Sequence, residues 1–330
     1  MSTFKLTKGK AALDPDLLTG GHIIREPVGF ENGYWAGAPG VFHAQGEKAF
    51  YLTYRLRRPR GVPPDRGGEA RIARSTDLKR WDDVWSVTKD KFDSASIERC
   101  AIRQGPDGLW RYYTSYVDPA DGRWCTAMLK APSIEQLDPA KRRVIFTAPP
   151  LRLEGVKDPW ILEREGVFHM FLSVAVATPK TKDSSHSTFD IYNTGECVSA
   201  SGLATSRDLD HWEWQGVVFQ PTGAGWDGYC RRINSVLPLD GRFVAFYDGS
   251  ASERENYEEK TALAESLDLL SWQTLSPDGP AVTSPFASGS IRYLDALEVG
   301  DDVWLFYEFA RTDGAHDLRL ATVKRDQFRL

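Results

Sequence analysis

At 330 residues, 41% hydrophobic and 26% charged, the chain is long enough to bury a large core and too apolar for a disordered or fibrous polymer. Its formal net charge of −5 is spread without any basic stripe, so the footprint of a nucleic-acid partner is missing. Residues 1–10 carry no apolar h-region and no later stretch is long enough to cross a bilayer, which excludes a membrane partner and predicts a cytoplasmic protein. Cys100, Cys125, Cys197 and Cys230 lie far apart without C-x-x-C spacing, the pattern of reduced thiols rather than of a disulfide framework or a zinc site.

In chain order, the first 25 or so residues read as a segment that closes a ring or covers one end. Five aromatic-rich strands then follow tight polar turns, at 45–54, 106–115, 164–173, 240–248 and 301–308, each with the alternation of a hairpin. A phrase S-x-D-L-x-x-W recurs at 75–81, 206–212 and 266–272, each copy between two short strands, with separations of 131 and 60 residues. A unit of roughly 60 residues fits propeller blades and places one degenerate copy between the first two phrases. Serine and aspartate close such a turn on the local backbone while the tryptophan packs back on the sheet, so these residues are read as structural. The expected fold is all-β: a single-domain, five-bladed β-propeller with blades near 30–87, 92–147, 153–219, 226–276 and 285–328.

The first strand of each blade faces the axis, which directs attention to 35–40, 97–100, 156–160, 231–234 and 291–295. Lys157 and Asp158 place charges inside an apolar run, where a charge needs a partner or a purpose; a structural ion pair between the two is the competing reading. Glu98 and Arg99 hold the matching place in the second blade. Asp248 and Glu308 end their aromatic strands, and burial is expected to raise the pKa of Glu308 into the range of a proton donor. Asp158, Glu98 and Glu308 are therefore the candidate catalytic residues. Arg99, Lys157, Arg232 and Arg292 are candidates for an anionic ligand, Asn256, Asp313 and His316 for sugar hydroxyls, Asp248 for substrate binding or as an alternative second carboxylate beside Glu98 and Glu308, and Trp35 and Tyr293 for stacking on a pyranose. The basic run 55–60 is read as a solvated loop, and no metal-ligand spacing or cofactor motif is visible.

With these turns and the Lys157-Asp158-Pro159-Trp160 strand, the chain resembles the five-bladed propeller glycosidases, the group holding glycoside hydrolase families 32, 43, 62, 117 and 130. That resemblance implies hydrolysis of a small sugar or oligosaccharide by paired carboxyl groups, with inversion favoured by a wide funnel. Family 43 uses an Asp base on the first blade, an Asp on a middle blade that tunes a pKa, and a Glu acid. Asp158 matches the middle position, but the first-blade position reads Gly37-Ala38-Pro39, so the chain departs from family 43 there. Phosphorolysis, as in family 130, and a catalytically silent sugar-binding propeller are the alternatives, and an anionic sugar such as a uronate fits the arginines.

Overall fold

The computed structural model describes residues 5–7 and 10–328. Apart from the short helix Pro15–Thr19 and several 3-10 turns, the described residues form β-structure. Apart from Lys5–Thr7 and Lys10–Ala12, which pair with each other, the strands fall into five consecutive antiparallel groups. The first comprises Trp35–Ala44, Ala49–Arg58, Arg66–Ser75 and Asp82–Thr88. The second comprises Ala101–Gln104, Trp110–Val117, Trp124–Ala131 and Arg143–Phe146. The third runs Gly155–Arg164, Val167–Ala177, Cys197–Ser206 and Glu213–Phe219, and the fourth Cys230–Leu239, Arg242–Ser250, Lys260–Ser266 and Gln273–Thr274. The fifth has Ile291–Val299, Asp302–Ala310 and His316–Lys324, and its outer strand is His22–Arg25 from the other end of the chain.

The second strand of each group is largely buried, with apolar and aromatic side chains over most of its length, as in Trp110–Val117. Its side chains fill cores between successive groups. One cluster joins Tyr51 and Ile72 to Tyr112 and Leu129, another Tyr113 and Met128 to Met170 and Leu172, and another Phe171 and Leu203 to Val236 and Tyr247. A fourth joins Val244 and Leu263 to Leu294 and Leu305, with Leu13 and Leu18 added, and a fifth joins Phe306 and Leu320 to Leu52 and Tyr54 of the first group. Burying such side chains is the main stabilising contribution, roughly 1.5–3 kcal/mol each.

The three S-x-D-L-x-x-W turns are superposable in their bonding. Ser206 Oγ accepts from the amides of Asp208 (3.2 Å) and Leu209 (2.9 Å), Asp208 Oδ1 accepts from Asp210 and His211 (both 2.8 Å), and Trp212 Nε1 donates to Leu209 O (3.2 Å). The copies at Ser75 and Ser266 repeat every one of these bonds. Each central leucine takes a left-handed conformation, with φ of 63°, 65° and 66° for Leu78, Leu209 and Leu269. The run 55–60 departs from the loop expected there, because Ala49–Arg58 continues as a strand and buries Arg55 and Arg57.

Candidate active site

The first strands of neighbouring groups touch one another, which brings their side chains together. Four of the five break register at the same level: between Gly37 and Gly40, Lys157 and Trp160, Ile233 and Ser235, and Arg292 and Asp295. Such a bulge re-aims side chains and removes an amide from the ladder, and that buried amide needs another acceptor. Ala38, Asp158 and Tyr293 sit at these bulges with φ of 53°, 57° and 53°, a conformation that costs a non-glycine residue about 1–3 kcal/mol. Their amides donate to the second strand of a neighbouring group: Ala38 N to Glu308 Oε2 (3.2 Å), Asp158 N to Ser115 Oγ (2.8 Å) and Tyr293 N to Asp248 Oδ2 (3.0 Å).

Around Tyr293 stand several carboxyl groups with different surroundings. Arg55, Arg99 and Arg292 lie 5.7, 5.9 and 5.2 Å from the centre of its ring. Burial pushes the Tyr293 hydroxyl pKa up, and the charges of Asp158 and Glu98 add to that effect. Burial and then the charge of Glu259 push Asp248 up to about 7, against the Tyr293 amide and Asn234. Glu98 goes the other way: burial works to raise it, but Arg55, Lys157 and Arg57 hold it down to about 2. Glu98 pairs with Arg55 Nη1 at 2.6 Å, and its side chain keeps 11% exposure. Asp158, 2% exposed, accepts from Arg99 N (3.2 Å) and lies 3.5 Å from Lys157 Nζ.

Glu308 reverses the expectation drawn for it. Its burial does favour the neutral acid, but Arg292 and His316 outweigh that and hold it well below the usual carboxylate range. Oε1 accepts from Arg292 Nε (2.8 Å) and Nη2 (2.7 Å) and contacts His316 Nδ1 (2.8 Å). The same network consumes most of the cations expected to meet a ligand. Arg292 also reaches Glu259 (2.6 Å), and Arg232 binds Ser199 Oγ (2.7 Å), Glu259 (2.9 Å) and Asn256 Oδ1. Asn256 spends its amide on Tyr192 O (3.0 Å) and Asn193 Oδ1 (2.8 Å), and His316 sits between Glu308 and Glu258 (3.0 Å), stacked on Trp35. Trp35 is also contacted by Arg57 and Arg292, at 4.2 and 4.5 Å from its ring. Lys157 lies over Trp124 and Tyr192.

Arg99 is a cross-link between groups: Nε donates to Pro39 O (2.8 Å) and Nη1 to Asn234 O (2.8 Å), and Nη2 is 3.7 Å from Asp295. Asp295 in turn accepts from Val41 N (2.7 Å) and Trp160 Nε1 (2.8 Å). Thus Arg232, Arg292, Asn256 and His316 have their polar atoms engaged by the protein itself, as has Arg99 apart from its Nη2, and Glu259 and Asp295, which local sequence did not single out, complete the network. Nothing in a strand's own pattern reports which carboxylate from another group will face it.

Three loops cover these groups. Asp190, in the excursion 178–196, accepts from Arg60 Nη2 (2.8 Å), Asn193 Nδ2 (2.8 Å) and the Tyr257 hydroxyl, and Arg66 Nη2 donates to Phe189 O (2.8 Å). Arg60, Asp190, Glu196 and Tyr257 line a cavity of about 660 Å³ on this cover. A second cavity of about 580 Å³ lies at the outer turns of the fourth group, between Asp240 and Trp272, away from these carboxyl groups. Among the described residues, no group of three or more His, Cys, Asp or Glu side chains is arranged to hold a metal ion, and the four cysteines are buried and unbridged. Also among the described residues, no helix is long and apolar enough to cross a membrane.

No protein-family model and no curated protein sequence matches the chain. Solved structures do. A glycoside hydrolase superposes with a TM-score of 0.63 at 14% identity, covering 92% of each chain. An α-L-arabinofuranosidase from Lactobacillus brevis gives 0.59 at 16% identity, over 87% of this chain and 90% of that one. A β-1,2-mannobiose phosphorylase from Listeria innocua gives 0.55 at 12% identity, over 92% and 93%. At such identities the likeness is one of fold, and the fold is that of the β-propeller glycoside hydrolases.

Proposed function

We propose that the five strand groups are the blades of one closed, single-domain propeller, and that its axial chamber is a glycosidase site for a small sugar or oligosaccharide. Closure is supported by the five inter-group cores, the last of which joins the fifth group to the first. The chemistry is supported by one observation above all: around Tyr293 the protein drives two carboxyl groups apart in pKa, Asp248 up to about 7 and Glu98 down to about 2. Such a split assigns an acid and a base at neutral pH.

In this reading Asp248 gives its proton to the glycosidic oxygen as the bond to the anomeric carbon breaks. Glu98 takes a proton from the water whose oxygen attacks that carbon from the opposite face, with inversion as the outcome. Asp158, held by the Arg99 amide, is the third carboxyl group acting on Tyr293. Glu308 fixes Arg292 and His316 and does not act as the proton donor.

Aryl glycosides and short oligosaccharides, offered with and without phosphate, test the assignment. Asp248→Asn and Glu98→Gln are each expected to lower kcat by on the order of 10²–10⁴ while sugar binding is retained. Release of sugar only when phosphate is present would favour the phosphorylase-like course of the Listeria innocua neighbour. A catalytically silent sugar-binding propeller is the second reading, favoured by Ala38, whose position carries no carboxyl group and whose amide is bonded to Glu308. Binding without turnover on every substrate would establish that reading instead.

A further inference from the structure

One buried cation near the axial cluster lacks a counter-charge. Arg57 is 6% exposed, and among the described residues no carboxylate pairs with it. Its guanidinium lies 4.2 Å from the centre of the Trp35 ring and 4.4 Å from that of Tyr257, and its Nε has no hydrogen-bond partner. Burial and then the like charge of Arg55 push its pKa down, opposite to the shift of Arg55, Arg232 and Arg292. Arg55, two residues earlier on the same face of the strand, is 2% exposed and also has an unpartnered Nε. The other axial arginines are bound to Glu259, Glu308 or backbone carbonyls, and Arg55 is paired with Glu98 (2.6 Å), so the missing counter-charge is that of Arg57.

An unpaired charge this deep costs several kcal/mol, and a chain that holds it folded without a partner is set up to receive one. The position is also apt. Arg57 feels the charges of Glu98 and Arg292 and packs against Tyr257, and Tyr257 also lines the 660 Å³ cavity. The two rings stand 6.1 Å apart and tilted by 51°, with the guanidinium packed against both; rings cannot take up its N–H donors as a carboxylate would, which leaves them for a planar or tetrahedral oxyanion.

We propose that Arg57, assisted by Arg55, binds an oxyanion of the ligand: a carboxylate, sulfate or phosphate carried on the sugar, or free inorganic phosphate beside it. This rests on the axial chamber being the sugar site but not on any assignment of acid and base.

The test is binding, not turnover. Glucuronate, glucose, glucose with inorganic phosphate, and inorganic phosphate alone are titrated into the full chain and into Arg57→Met and Arg57→Lys, with calorimetry and melting as readouts. Expected are tighter binding of glucuronate than of glucose, or a phosphate-dependent signal, and a loss of roughly thirtyfold or more for Arg57→Met with partial recovery in Arg57→Lys. Glucuronate binding alone assigns the anion to the sugar; binding of phosphate assigns it to the free ion. Arg57→Met should also melt higher than the parent when no anion is present, since it removes the unpaired charge. Anion binding unaffected by either variant, no anion binding at all, or an Arg57→Met chain that melts lower or fails to fold overturns the proposal. Loss of turnover in Asp248→Asn is independent of all these outcomes.

Discussion

At the scale of single residues, the site has two carboxyl groups with opposite protonation preferences, and stability against pH should report both. Asp248, raised to about 7 from an unfolded value near 3.9, holds its proton more tightly in the folded chain. Its contribution is complete below about pH 4 and is lost as pH rises through 7. Glu98, lowered to about 2, contributes fully above its unfolded value of about 4.3 and loses that contribution as pH falls through 2. Asp248→Asn, which cannot ionise, is therefore expected to melt close to the parent at pH 4 and above it at pH 8, with the gap opening between those values. Equal melting temperatures for the two proteins at pH 8 would mean that Asp248 is not being held neutral against its own ionisation.

At the scale of the element, the S-x-D-L-x-x-W turn is stabilised almost entirely within seven residues. Ser206→Ala removes the acceptor for two amides and is expected to cost about 1 kcal/mol in urea unfolding, as the loss of a helix cap does. That locality is why the architecture was legible: Ser206, Asp208 and Trp212 bond to their own turn, so the pattern carries its own explanation. The aromatic strands were legible for a similar reason, since burial on both faces forces apolar content. The run 55–60 was not, because strand alternation after Tyr54 places Arg55 and Arg57 on one buried face, and high charge density masked that period. Asp158 and Glu98 could be picked out as charges in apolar strands. Their partners could not, because Arg55 and Glu98 come from separate groups and Glu259 follows a loop whose course the strand pattern does not determine.

At the scale of the whole molecule, Arg99 and Asp295 tie the groups together. Arg99 meets the first, fourth and fifth groups, and Asp295 meets the first, second and third. Arg99→Met leaves Pro39 O, Asn234 O and Asp295 without this donor and is expected to cost about 3–5 kcal/mol, read as a lower denaturation midpoint by fluorescence. A change below 1 kcal/mol would mean that the cross-links are incidental to assembly. The pairing of His22–Arg25 with the strand His316–Lys324 has a temporal side as well. A ribosome moving at 5–20 residues per second needs on the order of 15–60 s to travel between the two partners. For that interval the first strand waits with its backbone groups open, and a nascent chain that stalls before Leu318 never receives the strand His22–Arg25 pairs with. Incomplete products thus carry an adhesive edge that chaperones and proteases can recognise, and the pairing of His22–Arg25 with His316–Lys324 hides it.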